Sequence, residues 1–168
     1  GLLDGRVVAF IDSTIEGDLY RSPRPFVVPL EGGTPLRLHD AFGGAPAASA
    51  DGSKVLFERG GSGWSRRGYT GPDNRNVWLF DPAAKTFVQL TKYDGNDGMP
   101  RFVGADEFVF VSDRSNGSMN LHRAKIGSTA DSAPRLTDFD GMDIHSLAVA
   151  LDGKTAVFGV LGDLWRLD

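Results

Sequence analysis

Asp51-Gly52-Ser53-Lys54-Val55-Leu56-Phe57 is an Asp-Gly turn followed by a short β-rich run that ends on Phe six residues after the Asp. The same construction stands at Asp4-Gly5-Arg6-Val7-Val8-Ala9-Phe10 and at Asp152-Gly153-Lys154-Thr155-Ala156-Val157-Phe158. Asp106-Glu107-Phe108-Val109-Phe110 is a version shortened by two. The terminal rings Phe10, Phe57, Phe110 and Phe158 are therefore 47, 53 and 48 residues apart. Repeats at a fixed period decide an architecture before any single element does.

Two further elements keep the same phase. Asn76-Val77-Trp78-Leu79-Phe80-Asp81, Asn120-Leu121-His122-Arg123 and Asp163-Leu164-Trp165-Arg166 follow the Phe runs. In the first unit two segments compete for that place: Asp18-Leu19-Tyr20-Arg21 has the matching letters, and Phe26 to Leu30 has the better spacing. A third element ends near a Leu, as Pro35-Leu36-Arg37-Leu38, Val88-Gln89-Leu90-Thr91 and Pro134-Arg135-Leu136-Thr137. A connector then recurs 46 residues on, Tyr93-Asp94-Gly95-Asn96-Asp97 becoming Phe139-Asp140-Gly141-Met142-Asp143.

Amphipathic helix patterns are nearly missing, and turn residues bound almost every apolar run, which is the pattern of short antiparallel strands. About four strands in a period near 48 predict an all-β fold, a β-propeller of four-stranded antiparallel blades. The expected units are 1–40 (partial), 41–93, 94–139 and 140–168 (partial), all in one propeller segment spanning 1–168. On this reading the chain begins at the second strand of one blade and stops after the third strand of another, about three and a half blades. A ring of six or seven such blades needs roughly 290–340 residues at this period.

Bulk composition narrows the function classes. The 168 residues include 22 Gly and 9 Pro, so turns consume much of the chain, while 40% hydrophobic content argues against disorder. Net charge is −4, with 18 basic and 22 acidic residues, which disfavours a nucleic-acid partner. No Cys is present, which removes disulfides, thiol catalysis and Cys-held zinc. No apolar run approaches the ~20 residues of a membrane span. Gly1-Leu2-Leu3-Asp4 shows neither an initiator Met nor a signal-peptide core, so the expectation is a processed chain or a piece of a longer one.

The Asp-Gly-Lys-x-x-x-Phe strand, the Asn/Asp-x-Trp strand, the Gln/Arg-Leu-Thr ending and the connector Asn96-Asp97-Gly98-Met99-Pro100 together resemble TolB-like propeller repeats. Such repeats occur in TolB, in tricorn-type proteases and in prolyl-oligopeptidase relatives. Trp64-Ser65-Arg66-Arg67-Gly68-Tyr69-Thr70-Gly71-Pro72-Asp73-Asn74-Arg75-Asn76-Val77-Trp78 resembles an insertion in the N-terminal six-bladed propeller of tricorn-like proteases, and Ser118-Met119-Asn120-Leu121 after Ser112-Asp113-Arg114 fits the same family. The resemblance implies a partial six-bladed ring within a larger serine peptidase. It implies a non-catalytic part that guides or filters peptide substrates and docks other domains or subunits. A TolB-type protein-binding propeller and the propeller lid of a prolyl-oligopeptidase-type enzyme are the rival expectations. Members of these families occur in the cytoplasm and outside it, so the compartment stays open.

The chemistry-bearing residues fit that division. No Gly-x-Ser-x-Gly elbow is present, since Gly60-Gly61-Ser62-Gly63-Trp64 lacks its last Gly, and no catalytic residue is expected in this chain. His39, His122 and His145 stand at three different repeat phases; His122 holds the place of Trp78 and Trp165 and reads as a packed strand residue. The acidic turns Asp94-Gly95-Asn96-Asp97 and Asp138 to Asp143 lack the Gly and distant Glu of a calcium loop, so they read as turn caps; no metal and no cofactor is expected. Phe10, Phe57, Phe110, Phe158, Trp78 and Trp165 are expected in the core. The stretch from Glu58 to Asn76 breaks the repeat and carries Arg59, Arg66, Arg67 and Arg75 with Trp64 and Tyr69. Arg66 and Arg67 are the candidates to grip a peptide carboxylate by forked hydrogen bonds; bracing of acidic loops is the competing role.

Overall fold

A computed structural model describes residues 2–17, 19, 22–63, 65–128 and 130–168. Four antiparallel sheets follow one another in chain order. The first contains β1 (Leu2–Leu3), β2 (Arg6–Asp12), β3 (Pro23–Pro29) and β4 (Leu36–Arg37). The second contains β5 (Gly44–Ala48), β6 (Val55–Arg59), β7 (Asn76–Asp81) and β8 (Thr86–Gln89). The third contains β9 (Asp97–Phe102), β10 (Glu107–Ser112) and β11 (Asn120–Lys125). The fourth contains β12 (Ile144–Val149), β13 (Ala156–Val160) and β14 (Asp163–Leu167). In the third sheet the outer strand is reduced to a bridge between His122 and Arg135. Each sheet meanders strand by strand, and each packs face to face on the next, as in a partial β-propeller.

The register explains the repeat. Phe57 pairs with Trp78, Phe110 with His122, and Phe158 with Trp165. Phe10 pairs with Pro25, so β3 is the second element of the first unit. In the rival segment, Asp18, Tyr20 and Arg21 lie outside the described residues, as does Trp64 of the insertion.

Apolar residues alternate between two buried faces. Phe108 and Phe110 join Leu56, Val77 and Leu79 in a cluster between the second and third sheets. Their neighbours Val109 and Val111 join Ile144, Leu147 and Phe158 between the third and fourth. Leu3, Val8 and Val27 meet Ala48 and Val55 between the first and second. A strand buried on both faces must be apolar at every position, which is why Phe108-Val109-Phe110-Val111 reads as a continuous run.

Three expectations change. The chain does not enter at the second strand of a blade: Leu2–Leu3 pairs with Arg6–Val7. Asp4 and Gly5 both have positive φ, 49° and 73°, the geometry of a tight two-residue hairpin turn. Phe10 is not core; it is 58% exposed. It lies on the same strand face as Val8, which packs on the second sheet, whereas Phe110 and Phe158 face the sheet before their own. Trp165 is 47% exposed, because its strand edges the fourth sheet and Phe139 is the ring that meets it, edge-on at 5.3 Å.

Candidate functional site

The insertion begins as a continuation of the β6–β7 hairpin. Arg59 still pairs with Asn76, and the Ser62 amide donates to the Asp73 carbonyl at 3.0 Å. Gly60 takes a φ of 129°, and a Cβ there would lie 2.2 Å from the Asn74 carbonyl oxygen, so the two arms of the hairpin touch through bare backbone. The base is fastened to the acidic connector. Asn74 Nδ2 donates to the carbonyls of Tyr93 and Gly95 at 2.7 and 3.1 Å, and the Asp97 amide donates to the Arg75 carbonyl at 2.8 Å. Ser62 Oγ donates to Asn96 Oδ1. The connector therefore does structural work, as turn caps do. Among the described residues no group of three His, Asp or Glu could hold a metal ion.

Beyond its base, the insertion crosses to the fourth sheet. Arg67 donates from Nε at 3.0 Å and Nη2 at 2.8 Å to Asp143 Oδ2, and from Nη2 to the Gly141 carbonyl at 2.8 Å. Arg66 stacks its guanidinium on the Tyr69 ring, 3.9 Å from the centroid. The two candidate arginines thus point to different partners, and Arg67 is engaged by a carboxylate of the chain itself. Asp143 occupies the connector position that Asp97 holds one unit earlier. Asp97 pairs there with Arg114, four residues after Phe110, at 2.7 Å. The residue four after Phe158 is Gly162, so the arginine for Asp143 comes from the insertion instead.

Under the insertion lies a cavity of about 1090 Å³ where the inner strands β5, β9 and β12 converge. Its walls carry Arg59, Arg75, Arg101, Glu58, Trp78 and His145. Glu58 is held firmly: Oε2 accepts from the Met99 amide at 2.8 Å, and Oε1 lies 3.3 Å from Arg75 Nη1. Arg101 donates from Nη1 to the carbonyls of Pro100 and Ala45 at 2.7 and 3.3 Å, and burial lowers its pKa from the usual arginine value. Neither Glu58 nor Arg101 stands out in the sequence, because both lie on ordinary strand positions; the non-repeating insertion was the one signal, and it named Arg59 and Arg75.

Of the histidines, His122 is buried and stacked on Phe110, with centroids 5.7 Å apart. Its Nε2 lies 3.5 Å from Ser115 Oγ, but Nδ1 faces the Ala133 carbonyl at 3.1 Å rather than a carboxylate. Burial lowers its pKa. His39 stands at the connector phase of Tyr93 and Phe139, packed against Phe57 and Phe80 at 4.7 Å each and Phe87 at 5.1 Å.

Solved structures share this arrangement of sheets. TolB from Acinetobacter baumannii superposes with a TM-score of 0.67 over 92% of this chain, at 24% identity. The tricorn protease superposes with a TM-score of 0.75 over 98% of it, at 17% identity. The chain has a TolB-like β-propeller fold. The Tol-Pal system protein TolB of Helicobacter pylori is 35% identical over 83 residues, 48% of this chain. No family model matches the chain. The TolB-like segment spans 17% of the Helicobacter TolB, 34% of the Acinetobacter TolB chain and 15% of the tricorn chain.

Proposed function

We propose that this chain is the non-catalytic propeller part of a larger, tricorn-like peptidase, where it guides or filters peptides and docks other domains. The observation that carries this reading is the insertion, which departs from the repeat and is tied across the cavity to the fourth sheet through Arg67 and Asp143. Loops that vary on a repeating scaffold are where binding tends to reside. The cavity beneath combines guanidinium groups with the apolar faces of Trp78 and Phe42, surfaces suited to a peptide end.

In this reading Arg66 and Arg67 gather acidic or C-terminal carboxylates at the mouth. A peptide carboxylate reaching Arg67 exchanges places with Asp143, which meets Nε and Nη2 with the single oxygen Oδ2, and presents two oxygens to the same edge. The test is the affinity of the chain for peptides of eight to ten residues, with and without Arg66→Ala and Arg67→Ala. Weaker binding in the double variant is expected; unchanged affinity removes both arginines from the reading. In the parent enzyme, KM for short peptides rises while kcat holds.

A second reading rests on the similarity to the Helicobacter TolB over 83 residues. In this second reading the propeller of this chain binds a folded protein partner. Peptide binding that ignores Arg66 and Arg67, together with capture of a folded partner by the exposed ring face, favours this alternative.

A further inference from the structure

Another cavity, of about 580 Å³, lies on the third sheet, and no residue of the insertion lines it. The connector after β8 brings Lys92 and Asp94 to it, the β10–β11 turn brings Arg114 and Ser115, and β11 brings His122. Arg135 stands across from His122 in the bridge that replaces the outer strand.

The cations differ in what they have left to give. Arg114 is spent: Nη2 donates to Asp97 Oδ2 at 2.7 Å, Nε to Ser112 Oγ at 3.1 Å, and Nη1 to the Ala130 carbonyl. Arg135 gives Nη2 to Asp138 Oδ1 at 2.6 Å, and Asp138 is 78% exposed. An ion pair so open to water is worth little and yields to a competing anion. Among the described residues Lys92 makes no ion pair and no hydrogen bond.

The acceptors are equally defined. His122 Nδ1 faces the Ala133 carbonyl at 3.1 Å; a carbonyl only accepts, so Nδ1 carries the hydrogen and Nε2 is bare. Burial lowers the pKa of the ring and keeps it neutral, and the charges of Arg114 and Arg135 act the same way. Ser115 Oγ stands 3.5 Å from Nε2. Its hydrogen is drawn toward that nitrogen, which leaves the hydroxyl lone pairs to the cavity. Asp94 adds a carboxylate without a partner among the described residues. Lys92, Asp94, Ser115 and Arg135 are all exposed, so a ligand meets them without moving any wall.

Among the described lining residues three cations, Lys92, Arg114 and Arg135, stand against one carboxylate, Asp94, which favours a net-negative ligand over a zwitterion. The acceptors select an anion that still carries a hydrogen. Inorganic phosphate meets both demands, since it keeps at least one proton throughout the neutral range. Sulfate keeps none, and a phosphate monoester loses its last at about pH 6. We propose that this cavity is a binding site for inorganic phosphate: Lys92 and Arg135 hold its charged oxygens, and Ser115 Oγ and the Asp94 carboxylate accept its P–O–H hydrogens. His122 acts through Ser115 as a positioning residue. The site goes beyond the peptide-binding reading and does not rest on it.

The test is calorimetric titration of the 168-residue chain with inorganic phosphate, sulfate and methyl phosphate, at about pH 7.5 and fixed ionic strength. Phosphate is expected to saturate one site and to bind about tenfold tighter than either of the others. Lys92→Gln and Arg135→Gln are each expected to lose about fivefold, and Lys154→Gln, outside the cavity, nothing. Ser115→Ala combined with Asp94→Asn removes the acceptors and is expected to bring phosphate and sulfate to within about threefold of each other. The substituted positions are exposed, so the fold is retained, checked by circular dichroism. Equal affinity for phosphate and sulfate in the unaltered chain overturns the proposal, and so does an undiminished preference in the Ser115, Asp94 variant. Unchanged affinity in the Lys92 and Arg135 variants, an equal loss in Lys154→Gln, or no saturable binding marks an adventitious ion only and overturns it as well. Tighter binding of methyl phosphate than of phosphate overturns it and gives the cavity to phosphate esters instead.

Discussion

Arg67 and Asp143 lie 76 residues apart in sequence, yet Nε and Nη2 of one converge on Oδ2 of the other at 3.0 and 2.8 Å. The second oxygen of Asp143 accepts from the Met119 amide at 2.8 Å. One carboxylate thus ties the insertion of the second sheet to the third and fourth. Asp143→Ala leaves the Met119 amide and Arg67 Nε without their acceptor, while Nη2 keeps the Gly141 carbonyl, at a cost of about 1–3 kcal/mol. The released insertion should be cut by trypsin after Arg66 and Arg67 faster than in the unaltered chain. Equal cleavage rates show that the tie does not hold the insertion down.

The repeated phenylalanines divide by burial. Phe57 and Phe110 are fully buried, whereas Phe10 is 58% exposed. Phe57→Ala and Phe110→Ala are expected to cost about 3–5 kcal/mol each, as large cavities in a packed core do. Phe10→Ala in this chain should stay within about 1 kcal/mol. Urea unfolding of the three variants checks the contrast.

The Asp97–Arg114 pair is buried on both sides. Arg114 also donates from Nε to Ser112 Oγ at 3.1 Å and from Nη1 to the Ala130 carbonyl. Removing one member of such a pair typically costs about 3–5 kcal/mol, because the other is left as an uncompensated buried charge. Arg114→Met should therefore destabilise more than Arg114→Met combined with Asp97→Leu. A double-mutant cycle that is simply additive contradicts the assignment.

His39 gives the fold a pH dependence. Desolvation among Phe57, Phe80 and Phe87 lowers its pKa from 6.5 to about 4, against smaller opposing effects of the Ala41 backbone and Asp40. Between those values the unfolded chain binds the proton and the folded chain does not. Stability is thus fully present above about pH 6.5, falls as the pH drops toward 4, and flattens below. His122, also lowered by burial, contributes in the same direction. His39→Phe places at this connector position a ring like that of Phe139. Its Tm should fall less than that of the unaltered chain between pH 6.5 and 4. Parallel curves remove His39 from the effect.

The repeat was legible because its signals are local: an Asp-Gly turn, a strand, a ring at the end. The register that aligns Phe57 with Trp78 and Phe110 with His122 follows from that spacing. The strand before the Asp4-Gly5 turn was hidden, because Leu2–Leu3 is only two residues long. The exposure of Phe10 and Trp165 was hidden for another reason. The face a ring takes follows from strand register, which sets Phe10 on the side of Val8 and the second sheet, and Trp165 stands on an edge strand. At the site, the insertion was visible as a break in the repeat. Bracing of an acidic loop was one of the two roles read for Arg67; that the loop is the one at Asp143 was not legible, since it needs the fan of sheets to bring the second unit to the fourth. Glu58 and Arg101 look like ordinary strand residues until the inner strands converge around them.

The central claim is that this propeller segment binds peptides and does not cut them. Incubating the chain with a saturating peptide bearing a free C-terminus, recording the heat of binding and then analysing the same sample by mass spectrometry, tests both halves at once. Saturable binding with the peptide recovered intact is the predicted result. Cleavage products that persist through repurification of the chain, or the absence of any binding, would contradict it.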